Sequence, residues 1–117
     1  MESLQLATEI AKILDKKKAQ NIKVLKVEDQ TVLTDYFVIA NGGSTTQVKS
    51  LAEEVEFQLG QKEVKPLRTE GYETKSWILL DYGNVIVHVF YPDARNFYDL
   101  DHLWADAEEI QMDLDEE

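Results

Sequence analysis

The segment Asp35-Tyr-Phe-Val-Ile-Ala-Asn-Gly-Gly-Ser-Thr-Thr-Gln-Val48 decides the fold of this chain. Its apolar run, residues 36–40, is typical of a buried strand, and the glycine pair that follows predicts a sharp turn. Ser44 and Gln47 then match a capping box at the start of a helix. Free N–H groups at a helix start attract anions, so the turn Gly42-Gly43-Ser44 is open to two interpretations, a phosphate cradle or a joint of the fold.

The composition indicates a single globular domain. The chain has 117 residues, of which 44% are apolar, and this suits one hydrophobic core. No apolar run reaches the roughly 20 residues that span a bilayer, and charged residues interrupt the N-terminus where a signal peptide would be apolar. The absence of cysteine excludes disulfides and cysteine-based metal sites. We therefore predict a cytoplasmic protein with no membrane association, cofactor or resident metal.

Negative charge is concentrated at the C-terminus. The formal net charge is −11, and from residue 93 onward ten acids against Arg95 alone contribute −9, which leaves −2 for the first 92 residues. This charge disfavours direct nucleic-acid binding, which needs a basic footprint, and favours a basic protein partner. Residues 1–108 are predicted to form the domain, and residues 109–117 an acidic, flexible tail.

Hydrophobic periodicity predicts the element order αββαβββα. Strands are expected at residues 22–28, 36–40, 64–70, 77–82 and 85–91, and the first two are expected to pair as a hairpin. Helices are expected at residues 3–17, from Ser44 to Gly60, and from Pro92 onward. The last of these helices should place Phe97, Leu100, Trp104 and Ala107 on one face. The predicted class is α/β, more narrowly α+β, with a mixed sheet of about five strands and helices packed on it.

A nucleotidyl transferase would require a metal clamp that the sequence does not place on a strand. Two carboxylates at i and i+2 on a strand project to the same side and can hold divalent cations. The acids after the glycine turn, Glu53, Glu54 and Glu56, fall in the second predicted helix, where residues two apart point about 200° apart. A nucleotide-binding or nucleotidyl-transferase enzyme using Gly42-Gly43-Ser44 is therefore the weaker alternative.

A hydrolytic triad of Ser44, Asp81 and His88 is also disfavoured. His88 is expected in the middle of a strand, whereas a general base usually occupies a loop or a strand end with access to substrate. A lone strand histidine is more often a packed or interface residue. We therefore predict no catalytic residues.

The hairpin of residues 77–91 offers a better functional surface. A two-residue turn at Gly83-Asn84 sets a register with Trp77 opposite Phe90 and Leu79 opposite His88. One face is mostly aliphatic and is predicted to be core. The other mixes aromatic residues with an acid and a histidine, which is typical of a protein-binding patch, but it could equally lie under a helix. The members of this second face are Trp77, Leu79, Asp81, Ile86, His88 and Phe90.

Four sequence blocks occur in a specific order along the chain. They are residues 35–48, Gly71-Tyr72 with Trp77-Ile-Leu-Leu-Asp-Tyr-Gly83, Val85-Ile-Val-His-Val-Phe90, and Ala94-Arg-x-Phe-Tyr-Asp-Leu-Asp-x-Leu-Trp104. Together they resemble the ribosomal silencing factor (Iojap-related) family, and the resemblance extends from the first helix to Trp104. It implies a nucleotidyltransferase-like scaffold that lacks the catalytic carboxylates, and hence a protein that is not an enzyme.

The resemblance also implies a partner. Family members bind the large ribosomal subunit through a ribosomal protein, number fourteen, and block joining of the small subunit, which lowers translation when nutrients are scarce. On this basis the predicted partner-binding residues are the six of the hairpin face, with Trp77 and Phe90 as apolar anchors, and Tyr98 and Asp99 in the last helix. An exposed patch of this kind often self-associates, so a homodimer off the ribosome is a further expectation.

Overall fold

The strand that leads into the glycine turn lies inside the sheet, not at its edge. In the computed structural model, which describes residues 1–114, all six residues of this strand are buried. In chain order the elements are α1 (Ser3–Lys16), β1 (Gln20–Lys26), β2 (Tyr36–Asn41), α2 (Thr45–Gly60), β3 (Arg68–Glu70), β4 (Trp77–Asp81), β5 (Val85–Phe90), α3 (Pro92–Tyr98), α4 (Leu100–Leu103) and β6 (Glu108–Ile110).

The strands form one mixed sheet in the order β3-β4-β5-β2-β1-β6. The predicted hairpin of β1 and β2 is confirmed, and β2 pairs in parallel with β5 while the other neighbours are antiparallel. The strand β3 occupies one edge and is shorter than the predicted strand of residues 64–70, because Pro66 within that range has no N–H group to donate to a ladder. Within residues 1–114 the sheet has six strands, so the prediction of about five was one too few.

The additional strand, β6, corrects part of the tail prediction. Glu109 and Ile110 were assigned to the flexible tail, yet they pair with β1, and Ile110 and Met112 pack partly against the core. A three-residue strand with two acids has no clear alternation in sequence, and it forms here because the edge of β1 offers unpaired backbone groups. The last residues of the predicted tail, 115–117, lie outside the described part of the chain.

The helices α1 and α2 cover one face of the sheet. Their apolar stripes pack on the aliphatic side of the β4–β5 hairpin, and this confirms the predicted core face. Leu14, Leu51 and Val87 are among the side chains with no appreciable solvent exposure. Burying each such side chain stabilises the fold by about 1.5–3 kcal/mol before chain entropy is counted.

The glycine turn is a tight joint between β2 and α2. A Cβ atom at Gly42 would lie 2.9 Å from the backbone nitrogen of Val48, so only glycine lets the turn approach the helix this closely. The Ser44 hydroxyl accepts a hydrogen bond from the Gln47 N–H (3.1 Å), as the capping box predicts. The Gln47 side-chain oxygen accepts from the Gly43 N–H (2.5 Å), one residue before the N–H of Ser44 that a capping box would use.

A Ser44→Ala variant is expected to lose about 1 kcal/mol of unfolding free energy, because the N–H of Gln47 loses its cap. Urea denaturation followed by circular dichroism measures this loss. The matched control is Ser50→Ala, an exposed position inside α2, which should leave stability unchanged or slightly raised. Equal losses in the two variants would show that the cap contributes nothing.

The predicted last helix is broken into α3 and α4. Asp99 adopts the left-handed conformation (φ 52°, ψ 51°), and its side chain caps α4 by accepting from the His102 N–H (3.3 Å). Consequently Phe97 does not share a buried face with Leu100 and Trp104, and it is 81% exposed. The spacing that predicted one continuous helix could not register a single left-handed residue. No helix within residues 1–114 is long and apolar enough to span a membrane.

Candidate functional site

The face of the sheet opposite α1 and α2 carries a second, smaller apolar cluster, which we call the aromatic face. The predicted register is confirmed, since Trp77 lies opposite Phe90 and Leu79 opposite His88. The neighbouring strand β2 brings Phe37 beside this hairpin. The aromatic face consists of Phe37, Trp77, Leu79, Asp81, Ile86, His88, Phe90, Tyr98 and Trp104.

Two predicted contact residues are buried within the aromatic face. Phe90 has no exposed surface and His88 is 5% exposed. Trp77 stacks on Phe90 with ring centroids 5.1 Å apart, and Phe37 meets His88 edge-on at 4.9 Å. Phe90 and His88 are therefore not accessible to a partner, contrary to the prediction, because α3, α4 and the residues that follow pack over this part of the sheet. The alternative, that the face lies under a helix, holds for this half.

The other half of the face is exposed where α3 meets α4. Tyr98 contacts Trp77 with ring centroids 4.6 Å apart, and Phe97 meets Tyr98 edge-on at 5.1 Å. Tyr98 is 47% exposed, and Leu103 on α4 is 70% exposed. We call residues 97–103 the α3–α4 corner. One of its exposed aromatic rings, that of Tyr98, rests on Trp77, which is itself only partly covered.

The remaining predicted residues lie at the rim. Leu79, Asp81 and Ile86 are half-buried, and Asp99 at the corner is exposed. The Asp81 carboxylate already accepts hydrogen bonds from the Gly83 N–H (2.8 Å) and from Nε of Arg68 (3.2 Å). Asp81 is thus partly committed to the β4–β5 turn, and the Asp99 carboxylate to the α4 cap. Their contact with a partner stays a prediction.

His88 is held neutral inside the aromatic face. Its Nδ1 accepts a hydrogen bond from the Trp77 indole N–H (3.0 Å), so the ring proton resides on Nε2. Nε2 is buried, and within residues 1–114 it has no hydrogen-bond partner. Burial lowers the pKa of His88 from 6.5 to about 4. The histidine therefore acts as a packed acceptor that orients the Trp77 ring.

The residues considered for catalysis each have another partner. His88 bonds Trp77, Asp81 bonds Gly83 and Arg68, and Ser44 caps α2, so the triad is not assembled. The three glutamates considered as metal ligands, Glu53, Glu54 and Glu56, all lie on α2, as the sequence predicted. Among residues 1–114 no group of three or more histidine, aspartate or glutamate side chains could hold a metal ion.

Sequence reasoning missed several members of the site. Phe37 and Trp104 complete the aromatic face, with Trp104 edge-on to Phe37 at 5.2 Å, and Phe97 and Leu103 supply exposed apolar surface. The alternation Phe37-x-Ile39 in β2 was a usable signal, since those two residues must share a face. No local pattern could identify Phe97 and Leu103 as exposed, because their exposure depends on the break at Asp99.

Comparison with protein families and curated proteins gives a consistent result. The whole chain, residues 1–117, matches the model of the family described as ribosomal silencing factor during starvation. It is 37% identical over 112 residues to "Ribosomal silencing factor RsfS" of Halalkalibacterium halodurans, covering 96% of this chain and 93% of the relative. It is 33% identical over 116 residues to "Protein Iojap, chloroplastic" of Arabidopsis thaliana, covering 99% of this chain and 48% of that relative.

Solved structures share the fold. A crystal structure of a protein from Chromobacterium violaceum matches with a TM-score of 0.87 at 32% identity, covering 97% of this chain and 94% of that one. A second, from Bacillus halodurans, matches with a TM-score of 0.77 at 35% identity, covering 93% and 96%. The mixed sheet with packed helices is thus confirmed, while the kinship to nucleotidyl transferases stays a prediction.

Proposed function

Because the chain belongs to the ribosomal silencing factor family, we propose that it binds the large ribosomal subunit and blocks joining of the small subunit by occupancy. The α3–α4 corner carries this proposal. Phe97 and Tyr98 expose apolar surface side by side, Leu103 is exposed on α4, and Tyr98 rests on Trp77. Exposed aromatic side chains that pack on a second, partly buried ring are typical of the residues that dominate binding energy at protein interfaces.

The charge of the chain supports a basic protein partner. Asp99 is exposed in the corner, Asp93 and Asp106 are exposed close to it in the sequence, and the net charge of the chain is −11. Acidic surface attracts a basic ribosomal protein and repels the RNA around it. The family resemblance implies that this protein is number fourteen of the large subunit. The same charge thus provides both faster association and discrimination against wrong surfaces.

Silencing of this kind requires no chemical step. A domain bound on the joining surface of the large subunit excludes the small subunit sterically, and the named relatives of this chain are silencing factors. We accordingly propose a cytoplasmic repressor of translation that is not an enzyme. Homodimerisation through the same exposed corner stays a prediction, and a dimer would have to separate before the corner could meet a ribosome.

Sedimentation of purified subunits with added protein tests the proposal. The wild-type chain should co-sediment with large subunits and reduce the fraction that joins small subunits. A Tyr98→Ala variant should bind at least about tenfold more weakly, because it removes an exposed anchor. Its matched control is Phe57→Ala, another exposed aromatic residue, on α2 at the opposite face of the sheet, which should bind like the wild type.

Two outcomes would contradict the proposal. If large subunits neither retain the wild-type protein nor lose their ability to join small subunits, the silencing role fails. If Phe57→Ala weakens binding and Tyr98→Ala does not, the binding surface lies on the helical side of the sheet and not at the corner.

A further inference from the structure

We propose that Arg95 is a positioning residue that holds the α3–α4 corner, and with it Tyr98, against Trp77. The inference rests on the proposed function, since it explains how the surface that meets the ribosome keeps its shape. Arg95 is 7% exposed and therefore cannot itself supply much contact area. Its role must be exerted through the groups that it bonds.

The guanidinium of Arg95 joins the corner to the sheet. Its Nη1 donates to the side-chain oxygen of Asn41 at the end of β2 (3.0 Å) and to the backbone carbonyl of Asn21. Asn21 lies at an irregularity in β1 and has a positive φ of 51°, so its carbonyl is free of the regular ladder. A buried cation fixed by two strands is an anchor with little freedom.

The same guanidinium spans the break between the two helices. Nε and Nη2 donate to the two carboxylate oxygens of Asp101 (3.1 and 3.2 Å), so α3 is tied to α4 by a bidentate pair. The backbone carbonyl of Arg95 also accepts from the Asp99 N–H (2.9 Å). A four-residue helix such as α4 is not stable by itself, so its position depends on bonds of this kind.

The pair is charged at neutral pH. Partial burial alone raises the pKa of Asp101, but the hydrogen bonds and charge of Arg95, with a contribution from Lys23, bring the net pKa below its usual value. Lys23 lies 3.5 Å from the same carboxylate. The ionised carboxylate accepts both guanidinium N–H groups, which a lysine in place of Arg95 could not match in geometry.

The consequence for binding is preorganisation. Tyr98 is three residues after Arg95 in the same short helix, and its ring contacts Trp77 only while that helix keeps its direction. An anchor ordered before binding loses less conformational entropy when the complex forms. Releasing the guanidinium should therefore weaken binding even though no contact residue has changed.

Three variants of the full chain test this role in the sedimentation assay. Arg95→Gln and Arg95→Lys should both bind large subunits about tenfold more weakly, because neither side chain can donate the two parallel hydrogen bonds that the guanidinium makes to Asp101. Lys62→Gln is the control, since it breaks an exposed ion pair with Glu9 on the helical side and should bind like the wild type. Nuclear Overhauser contacts between the Tyr98 and Trp77 rings should be lost in the first two variants and kept in the control.

A double-mutant cycle separates positioning from general stability. In a Tyr98→Ala background, Arg95→Gln should cause no further loss of binding, because its effect passes through that ring. A purely structural role predicts the same loss in both backgrounds. Asp101→Asn, which keeps the side-chain volume, serves if Arg95→Gln fails to fold, and should show the same coupling to Tyr98.

The two proposals fail in distinguishable ways. If the wild type does not bind large subunits, the proposed function fails, while the ring contacts still report on positioning. Retained ring contacts in folded Arg95→Gln, full rescue by Arg95→Lys, or additive losses in the cycle would each overturn the role of Arg95.

Discussion

A Trp77→Ala variant is expected to bind large subunits about 100-fold more weakly and to lose about 3 kcal/mol of unfolding free energy. Trp77 connects the two halves of the aromatic face, since it stacks on buried Phe90, contacts exposed Tyr98 and donates its indole N–H to His88. Truncation leaves a cavity over Phe90 and removes the base on which Tyr98 rests. Sedimentation with purified subunits measures the binding loss, and urea denaturation measures the stability.

The control for this variant is Trp77→Phe. A phenyl ring keeps the contacts with Phe90 and Tyr98 but has no N–H group, so His88 Nδ1 loses its donor. We expect a stability loss of about 1 kcal/mol and most of the binding retained. A folded Trp77→Ala protein that co-sediments like the wild type would show that Trp77 is core alone and that the corner does not depend on it.

Acid should destabilise the protein through His88 by up to about 3 kcal/mol. The pKa of His88 is about 4 in the folded state and 6.5 when unfolded, so the unfolded chain binds more protons between these values. Above pH 6.5 His88 is neutral in both states and costs no stability. The free energy of unfolding then decreases as the pH falls from 6.5 toward 4, and His88 causes no further change below that. Urea denaturation at intervals from pH 7.5 to 4.5 gives the dependence.

Replacement of each histidine isolates this contribution from that of the carboxylates. His88→Gln retains a side-chain oxygen that can accept from Trp77 and should flatten the pH dependence between 6.5 and 4.5. His102→Gln alters an exposed residue of α4 and should keep the wild-type dependence, because His88 is still present. If the free energy of unfolding varies with pH equally in the wild type and in His88→Gln, the histidine at this position is not held neutral by burial.

Most of the fold could be predicted from local patterns. The capping box at Ser44, the β1–β2 hairpin, and the β4–β5 register with Trp77 opposite Phe90 are all present in the structure. These features depend on residues close in sequence, whose spacing sets which side chains share a face. The strand β6 escaped prediction because its formation depends on the edge of β1, more than 80 residues earlier in the chain.

The candidate site was predicted only in part. The alternation in β4 and β5 correctly placed Trp77, Leu79, His88 and Phe90 on one face of the sheet. It could not determine which of them reach the surface, because coverage is set by segments packed on top of the sheet. Arg95 was visible as the only arginine or lysine after residue 92. Two of its three acceptors, Asn21 and Asn41, lie more than 50 residues earlier in the chain, and the third, Asp101, follows it across the break at Asp99.

The sequence by itself determined the family, the order of the main elements and the structural use of the Gly42–Ser44 turn. Periodicity and capping act within a few residues, so they can be read without knowledge of the rest of the chain. Only the tertiary structure decided which aromatic residues are exposed. The chain turns at the left-handed residue Asp99, so that Leu100 and Trp104 pack against the aromatic face while Tyr98 stays at the surface. Burial is a property of packing between distant segments, which local spacing cannot specify.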